Sequence, residues 1–366
     1  MKAIVTTGWS LSPTLSLTDR SVPERLGAND VLVQVHAASV NPKDWKLNYH
    51  AAVALSPLLV NKLPPFFGDD LAGVIIDKGS KVRDFEIGDA VYGMDMRPRT
   101  ASLAELTRID QKRIAKKPSS LTFQQAASMP LAAQTALQGL HKGKAEAGKR
   151  VLIIGASGGV GTFAVQIAKA MGLHVTGVCS GRNADFAREL GADEIIDYTL
   201  GDYRHTAGAF DLVFDVTSYE SPRTCDALIA EDGWFISTGG DARSMLITPF
   251  YRVFGKHCGT VVVESWTRDL DTLSGLVESG KLRPIIDSVF PLAESQQAYE
   301  KQAAALKAQQ EEAKIETQRL LEEQKKQLAK DQESMVEAAV KKQVEDELNE
   351  SRTQLNNQAK EEAEQN

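Results

Sequence analysis

The stretch Val151-Leu-Ile-Ile-Gly-Ala-Ser-Gly-Gly-Val-Gly161 carries the clearest chemistry in the chain. Four apolar residues predict a buried strand over 151–154, and a helix is expected over 162–171. Between them Gly155, Gly158 and Gly161 allow a tight turn and a close approach of the backbone to a ligand. The helix would aim its unpaired N–H groups and positive dipole end at that ligand, which suits a phosphate. A second apolar strand, 174–179, follows at βαβ spacing. A site for NAD usually places an acid about 20 residues beyond the glycines, on the ribose hydroxyls. Here the second strand runs into Ser180-Gly-Arg182-Asn183. A hydroxyl, a guanidinium and an amide suit a 2′-phosphate, so NADP(H) is expected rather than NAD. Arg182 also reads as a surface charge at a helix start. Tyr198, after the third strand, reads either as a ring and hydroxyl at the same end or as plain sheet-edge packing.

The elements that must hold these residues are legible in outline. Thr122 caps an expected helix over 123–128, and another spans 132–139. Strand and helix then alternate: 151–154, 162–171, 174–179, 184–190, 194–197, 210–216, a helix over 221–230, and a strand over 233–238. That alternation predicts an α/β fold, a doubly wound parallel sheet with its ligand at the carboxyl ends of the strands. A strand from Thr260 and helices over 270–279 and from Leu292 follow. Before residue 118 the pattern is short strands with Gly and Asp punctuation, a barrel-like or sandwich-like region. Residues 51–67, with Pro57, Pro64 and Pro65, fit a cleft-covering loop and an ordinary surface loop equally.

Residues 301–366 are different in kind, with no Gly, Pro or aromatic residue and many Glu, Lys, Gln and Ala. Leu306, Ala313 and Leu320 are seven apart, as are Leu321, Leu328 and Met335. Val336, Val340, Val344 and Leu348 follow at spacing four. This predicts a helix on the order of 100 Å long with an imperfect heptad seam. It reads as a self-associating or partner-binding coiled coil, or as a solvated single helix.

Composition sets bounds on function. Of 366 residues, 42% are hydrophobic and 25% charged, as in an ordinary soluble protein of about two domains. No apolar run approaches the roughly 20 residues a membrane span needs. A net charge of −7 gives no reason to expect nucleic acid. The N-terminal residues lack signal-peptide and transit-peptide character, and three scattered cysteines suit a reducing compartment, so a cytoplasmic location is expected.

Several separate motifs occur in a fixed order: Asn41-Pro-Lys-Asp44-Trp45, Gly68-Asp-Asp-Leu-Ala-Gly73, Gly88-Asp-Ala-Val-Tyr92-Gly93, Pro130-Leu-Ala-Ala-Gln-Thr135, the glycine turn and Leu190-Gly-Ala-Asp193. Together they resemble the zinc-independent medium-chain dehydrogenase/reductases. The resemblance covers about residues 1–300 and is nearest to the quinone oxidoreductase-like branch, which holds zeta-crystallin, alkenal/enone reductases and the reticulon-interacting protein. It implies a GroES-like catalytic domain over 1–121 and a Rossmann NADP(H)-binding domain over 122–264. A return segment over 265–300 and the helical tail over 301–366 would follow. It also implies NADPH in a cleft and hydride transfer to a quinone or an α,β-unsaturated carbonyl, with a homo-oligomer as the assembly. By resemblance, Asn41 and Thr135 lie beside the nicotinamide, Ser157, Gly159 and Val160 join Gly158 and Gly161 at the pyrophosphate, and Gly239 and Gly240 approach the ring. Tyr49 stands near the place of a family tyrosine that would donate a proton, with His50 or water as the alternatives. Asn41 also reads as a turn residue before Pro42, and Thr135 as a helix hydroxyl bonded to its own backbone.

Zinc-dependent relatives need a Cys within 41–44 and Gly-His-Glu at 68–70; neither Cys nor His stands there, so no metal is expected. The chain departs from the family after Ala298-Tyr299-Glu300, where a last strand normally returns to the catalytic domain. Here helical sequence continues instead. A second reading therefore stands beside the enzyme: a weakly active or inactive NADPH-binding scaffold on a coiled-coil stalk.

Overall fold

The computed structural model describes residues 1–7, 14–23, 25–42, 44, 68–96, 101–205, 208–238 and 257–364. Tyr49, His50, Gly239, Gly240 and the 51–67 loop, to which the sequence assigns roles, lie outside the described residues.

The N-terminal region is antiparallel. β1 (Lys2–Thr7) pairs with β2 (Thr14–Asp19). A five-stranded sheet follows, built from β3 (Asp30–Ala38), β4 (Asp70–Lys78), β5 (Ala90–Met94), β6 (Leu106–Asp110) and β7 (Ile114–Lys116), in the order β6-β3-β4-β5-β7. Val31 and Val33 on β3, Leu71 and Ile75 on β4, Val91 and Ile109 share one buried cluster. These positions alternate because a strand sends every second side chain to one face. Gly73 on β4 is required by close packing: a Cβ there would lie 2.0 Å from the Gln34 carbonyl oxygen.

Two helices lead into the second sheet. α1 (Phe123–Ala127) starts with a reciprocal cap between Thr122 and Gln125. α2 (Pro130–Lys142) starts with a proline, whose missing N–H is no loss at a first helical position. The second sheet contains β8 (Arg150–Ile154), β9 (His174–Cys179), β10 (Glu194–Asp197), β11 (Phe210–Asp215), β12 (Ile229–Thr238) and β13 (Cys258–Val261). All pairs are parallel, in the order β10-β9-β8-β11-β12-β13. From β8 the chain winds outward to β9 and β10, then returns to β11 on the other side. The strand order therefore reverses between β8 and β11, and a crevice at their carboxyl ends is the expected ligand site. Val151, Leu152 and Ile153 of β8 are wholly buried, as a central parallel strand demands. α3 (Gly159–Ala170) and α4 (Ala184–Glu189) are the crossovers on one side.

The expected helix over 221–230 is absent. Residues 222–225 form turns, 226–228 a single 3-10 turn, and 229–238 one long strand. Pairing with β11 explains this. Ser221 Oγ accepts from the Thr224 N–H at 3.2 Å and Thr224 Oγ1 from the Ser221 N–H at 2.9 Å, a reciprocal cap like that of α1, but after residue 228 the chain enters the sheet instead of continuing as helix. Ile229 then pairs with Phe210, and the register shifts before Trp234 pairs with Leu212.

After β13, α5 (Thr267–Glu278) docks on the first sheet. The buried Tyr92 hydroxyl donates to the Leu270 carbonyl at 2.7 Å, and the Thr267 hydroxyl to the Ile114 carbonyl at 2.9 Å. Among the described residues no strand follows Cys258–Val261. α6 (Ser295–Glu364) follows instead. Its first turns meet the N-terminal region through side chains. Gln296 Oε1 accepts from the Leu15 N–H at 2.8 Å, and Gln302 Nε2 donates to the Val40 carbonyl at 2.6 Å. The chain divides into two compact units, Met1–Ala308 and Gln309–Asn366. In the second unit Met335, Val336, Val340, Val344 and Leu348 are exposed.

Candidate active site

The glycine turn closes β8 as its residue types require. Gly155 sits at φ +88°, a left-handed conformation that glycine alone adopts freely. A Cβ on Gly161 would lie 2.0 Å from the Gly155 carbonyl oxygen, so helix α3 can start this close to the strand only without a side chain. Among the described residues a Cβ on Gly159 would meet nothing within 4 Å, so the turn is tight on its inner side and open to them on its outer side. Gly158 is the N-cap of α3 and makes no side-chain cap, which leaves the helix's first N–H groups to a ligand.

The tip of β9 is tied to this turn. Asn183 Nδ2 donates to Ser157 Oγ at 3.1 Å and to Ser180 Oγ at 3.3 Å. Asn183 thus orients two hydroxyls and commits its own nitrogen to them. Ser180 is buried and Arg182 exposed. Tyr198 is half-buried against the core cluster of β8 and β11, and its N–H donates to the Cys179 carbonyl at 3.3 Å, as sheet-edge packing predicts. An acid the sequence reading passed over also stands here: a Cβ on Gly181 would lie 2.3 Å from Asp197 Oδ2.

The carboxyl end of β11 has an organising carboxylate that sequence reasoning missed. Asp215, at the end of β11, accepts from the Thr217 N–H at 2.9 Å, the Thr217 hydroxyl at 2.6 Å, the Ser218 N–H at 3.1 Å and the Glu220 N–H at 2.9 Å. Burial holds its carboxyl above the usual carboxylate range, against the pull of these bonds. The loop so fixed keeps Ser218 at φ +63°, and Ser218 Oγ donates to the Thr238 carbonyl at 2.6 Å. A serine held in this region is strain, tolerated where surrounding bonds over-determine it.

A second cluster gathers around Asn41. Its Nδ2 donates to Asp70 Oδ2 at 2.8 Å and to Ser39 Oγ at 3.0 Å. The Ser39 hydroxyl also donates to Asp70 Oδ2. Asp70 Oδ1 accepts from the Leu131 N–H at 2.9 Å, in the first turn of α2. Asp44 Oδ2 accepts from the Asn41 N–H and from the Tyr299 hydroxyl, both at 2.9 Å. Desolvation by burial pushes the Asp70 carboxyl up to about 7, against the hydrogen bonds from Ser39 and Asn41. Burial and the adjoining Asp44 push the Tyr299 hydroxyl well above its ordinary value. Thr135, one turn along α2 and buried, donates its hydroxyl to the Leu131 carbonyl at 2.7 Å. Its proton is thus spent on its own helix, and its oxygen remains as an acceptor. α2 packs on α3, the helix that the glycine turn opens.

Comparison with known proteins agrees with this geometry. Residues 27–119 match the model of the alcohol dehydrogenase GroES-like domain, and residues 190–307 that of the zinc-binding dehydrogenases. The chain is 35% identical over 314 residues to the mouse mitochondrial NAD(P)H oxidoreductase RTN4IP1, covering 74% of this chain and 78% of that protein. The chain belongs to the medium-chain dehydrogenase/reductases, in their zinc-independent quinone oxidoreductase-like branch. A tomato relative, 2-methylene-furan-3-one reductase, is 32% identical across 80% of this chain and 73% of its own length. The solved quinone oxidoreductase from Coxiella burnetii superposes with a TM-score of 0.73 at 30% identity, covering 83% of this chain and 96% of that one. The GroES-like sheet and the Rossmann sheet of this quinone oxidoreductase-like chain are those of an oxidoreductase. Residues 41–44 and 68–70, where the resemblance would put zinc ligands, contain neither Cys nor His. Among the described residues no cluster of His, Cys, Asp and Glu could hold a metal ion.

Proposed function

We propose that this chain reduces quinones or α,β-unsaturated carbonyls with NADPH. The observation that carries the reading is the pairing of an open glycine cradle on α3 with a buried polar cluster, Asn41-Ser39-Asp70, bonded to the neighbouring helix α2. The residues fit a dinucleotide: the turn from Ser157 to Gly161 is open outward, and Ser157, Ser180 and Arg182 supply donors for phosphates. When bound, NADPH supplies the hydride. The chain's own task is to bind the acceptor, orient it and exclude water. Asn41 and Thr135 would present acceptor oxygens beside the reacting ring. Names of relatives support the substrate class, since they include an NADPH-dependent alkenal/one oxidoreductase and a chloroplast envelope quinone oxidoreductase homolog, both from Arabidopsis thaliana. The test is steady-state NADPH oxidation against a panel of quinones and enones. Turnover with either class is expected. Tight NADPH binding without turnover would replace the enzyme by the scaffold reading, which the helix in place of a last strand favours.

For the tail, the exposed apolar residues Val336, Val340, Val344 and Leu348 support a coiled coil between copies of the chain or with a partner helix. Sedimentation of the chain with and without 309–366 checks this, and an unchanged ratio of mass to monomer would leave a solvated single helix. Three buried cysteines, none in a disulfide, support a reducing compartment such as the cytoplasm, although relatives are named mitochondrial and chloroplastic. Fractionation of the host cell separates these locations.

A further inference from the structure

The Asn41 amide nitrogen faces two acceptors on the same side, Asp70 Oδ2 at 2.8 Å and Ser39 Oγ at 3.0 Å. Ser39 is itself bonded to that Asp70 oxygen, so the three side chains close a ring. Asp70 is anchored from its far side by the Leu131 N–H and is almost wholly buried. The Asn41 N–H is pinned separately to Asp44, which fixes the backbone beneath the side chain. Nothing in this network engages Asn41 Oδ1.

We propose that Asp70, together with Ser39, is a positioning residue that locks the Asn41 carboxamide with its nitrogen turned inward, so that Asn41 meets a bound molecule through Oδ1 as a hydrogen-bond acceptor. The inference rests on the reading of Asn41 as a site residue and deepens it, because it selects the chemistry of the group facing Asn41. An acceptor oxygen binds N–H or O–H donors, such as a carboxamide nitrogen or a hydroquinone hydroxyl. It repels a developing oxyanion, so any stabilisation of an enolate oxygen falls to other groups. The burial that pushes Asp70 up to about 7 gives the lock a pH dependence. Asp70 accepts from Asn41 through either protonation state of its neighbour oxygen, but a proton on Oδ2 turns that atom into a donor and favours the flipped amide. Among the described residues the titratable groups facing Asp70 are Asp69, beside it in sequence, and Tyr299 of α6, whose hydroxyl is shared with Asp44. On α2 the facing group is the Leu131 N–H, which does not titrate.

The deciding measurement is the side-chain amide resonance pair of Asn41 in the full, isotope-labelled chain, assigned by its loss in Asn41→Ala. Slow hydrogen exchange and a shift between about pH 6 and about pH 8 are expected, with the shift abolished in Asp70→Asn. A fast-exchanging, pH-independent pair in the wild type would overturn the proposal without any variant. Ser39→Ala serves where Asp70→Asn folds poorly, and is expected to speed the exchange of the Asn41 amide pair. In kinetics, Asp70→Asn is expected to lower kcat by roughly tenfold to a hundredfold with little change in KM for NADPH. That loss should vanish in an Asn41→Ala background; additive losses would show that Asp70 acts on the fold alone. Absence of wild-type turnover would count against the proposed function, while the amide resonances would still decide the lock.

Discussion

Arg182 and Asp70 show what single residues contribute. Arg182 is exposed at the tip of β9, beside the buried Ser180. A charged hydrogen bond to a phosphate is worth about 1.5–3 kcal/mol. Arg182→Ala is therefore expected to raise Kd for NADPH by roughly tenfold to a hundredfold and Kd for NADH little, read by fluorescence titration. An equal effect on both would count against a 2′-phosphate at this tip. Asp70 contributes to stability with a definite sign. Its folded carboxyl titrates at about 7, above the ordinary carboxylate value near 4 in an unfolded chain. Between those values the folded state holds the proton that the unfolded state has lost, so stability falls as pH rises from about 4 to about 7. Asp70→Asn removes this titration. The Tm of Asp70→Asn relative to wild type is expected to be more favourable at about pH 8 than at about pH 5. Taking that difference cancels the titration of Asp215, whose carboxyl is also raised by burial.

At the scale of elements, the glycine turn and α6 carry the argument. Gly161→Ala would set a Cβ 2.0 Å from the Gly155 carbonyl, which backbone cannot yield cheaply. A loss of about 1–3 kcal/mol in stability by denaturant titration is expected, along with weakened NADPH binding. The same change at Gly159, where a Cβ meets nothing, should cost little stability. The first turns of α6 stand where the family resemblance places a last strand and the sequence predicts helix instead. Gln296, Tyr299 and Gln302 lie three apart, on one stripe of the helix, and each reaches the N-terminal region by a side-chain hydrogen bond. Side chains thus satisfy Leu15 N–H and the Val40 carbonyl, groups that a strand ladder could have paired. The expected helix over 221–230 gives way because Ile229 pairs with Phe210 and draws the chain into β12, a tertiary pairing that overrides the local cap at Ser221 and Thr224.

At the scale of the molecule, the two compact units set apart chemistry and tail. Every candidate site residue described lies within Met1–Ala308. Removing 309–366 is expected to leave Tm and NADPH-dependent turnover unchanged. Removing 295–366 also takes the Tyr299 hydroxyl from Asp44 and Gln302 from Val40, and is expected to lower Tm and kcat together. Loss of activity on the shorter deletion would show that the tail takes part in the reaction. Among the described residues no helix is long and apolar enough to cross a membrane.

The sequence by itself determined what is local. The glycine turn, the strand–helix alternation, the Thr122 cap and the apolar spacing of the tail each follow from neighbours within one or two turns. Asn41 and Thr135 became candidates through the family resemblance, and Tyr198 stayed open between the cofactor end of the sheet and plain edge packing. The tertiary structure alone decided which polar groups are partners. Asn41 and Asp70 are 29 residues apart, and Asp44 and Tyr299 are 255 apart, yet each pair shares a hydrogen bond under 3 Å. No periodicity encodes such pairs, because they form where a strand, a turn and two helices converge. Burial at that convergence raises the Asp70 carboxyl and fixes an asparagine beside a proline with its nitrogen turned toward Ser39 and Asp70. Dielectric and geometry at a point of convergence are properties of the packed chain, and only the fold supplies them.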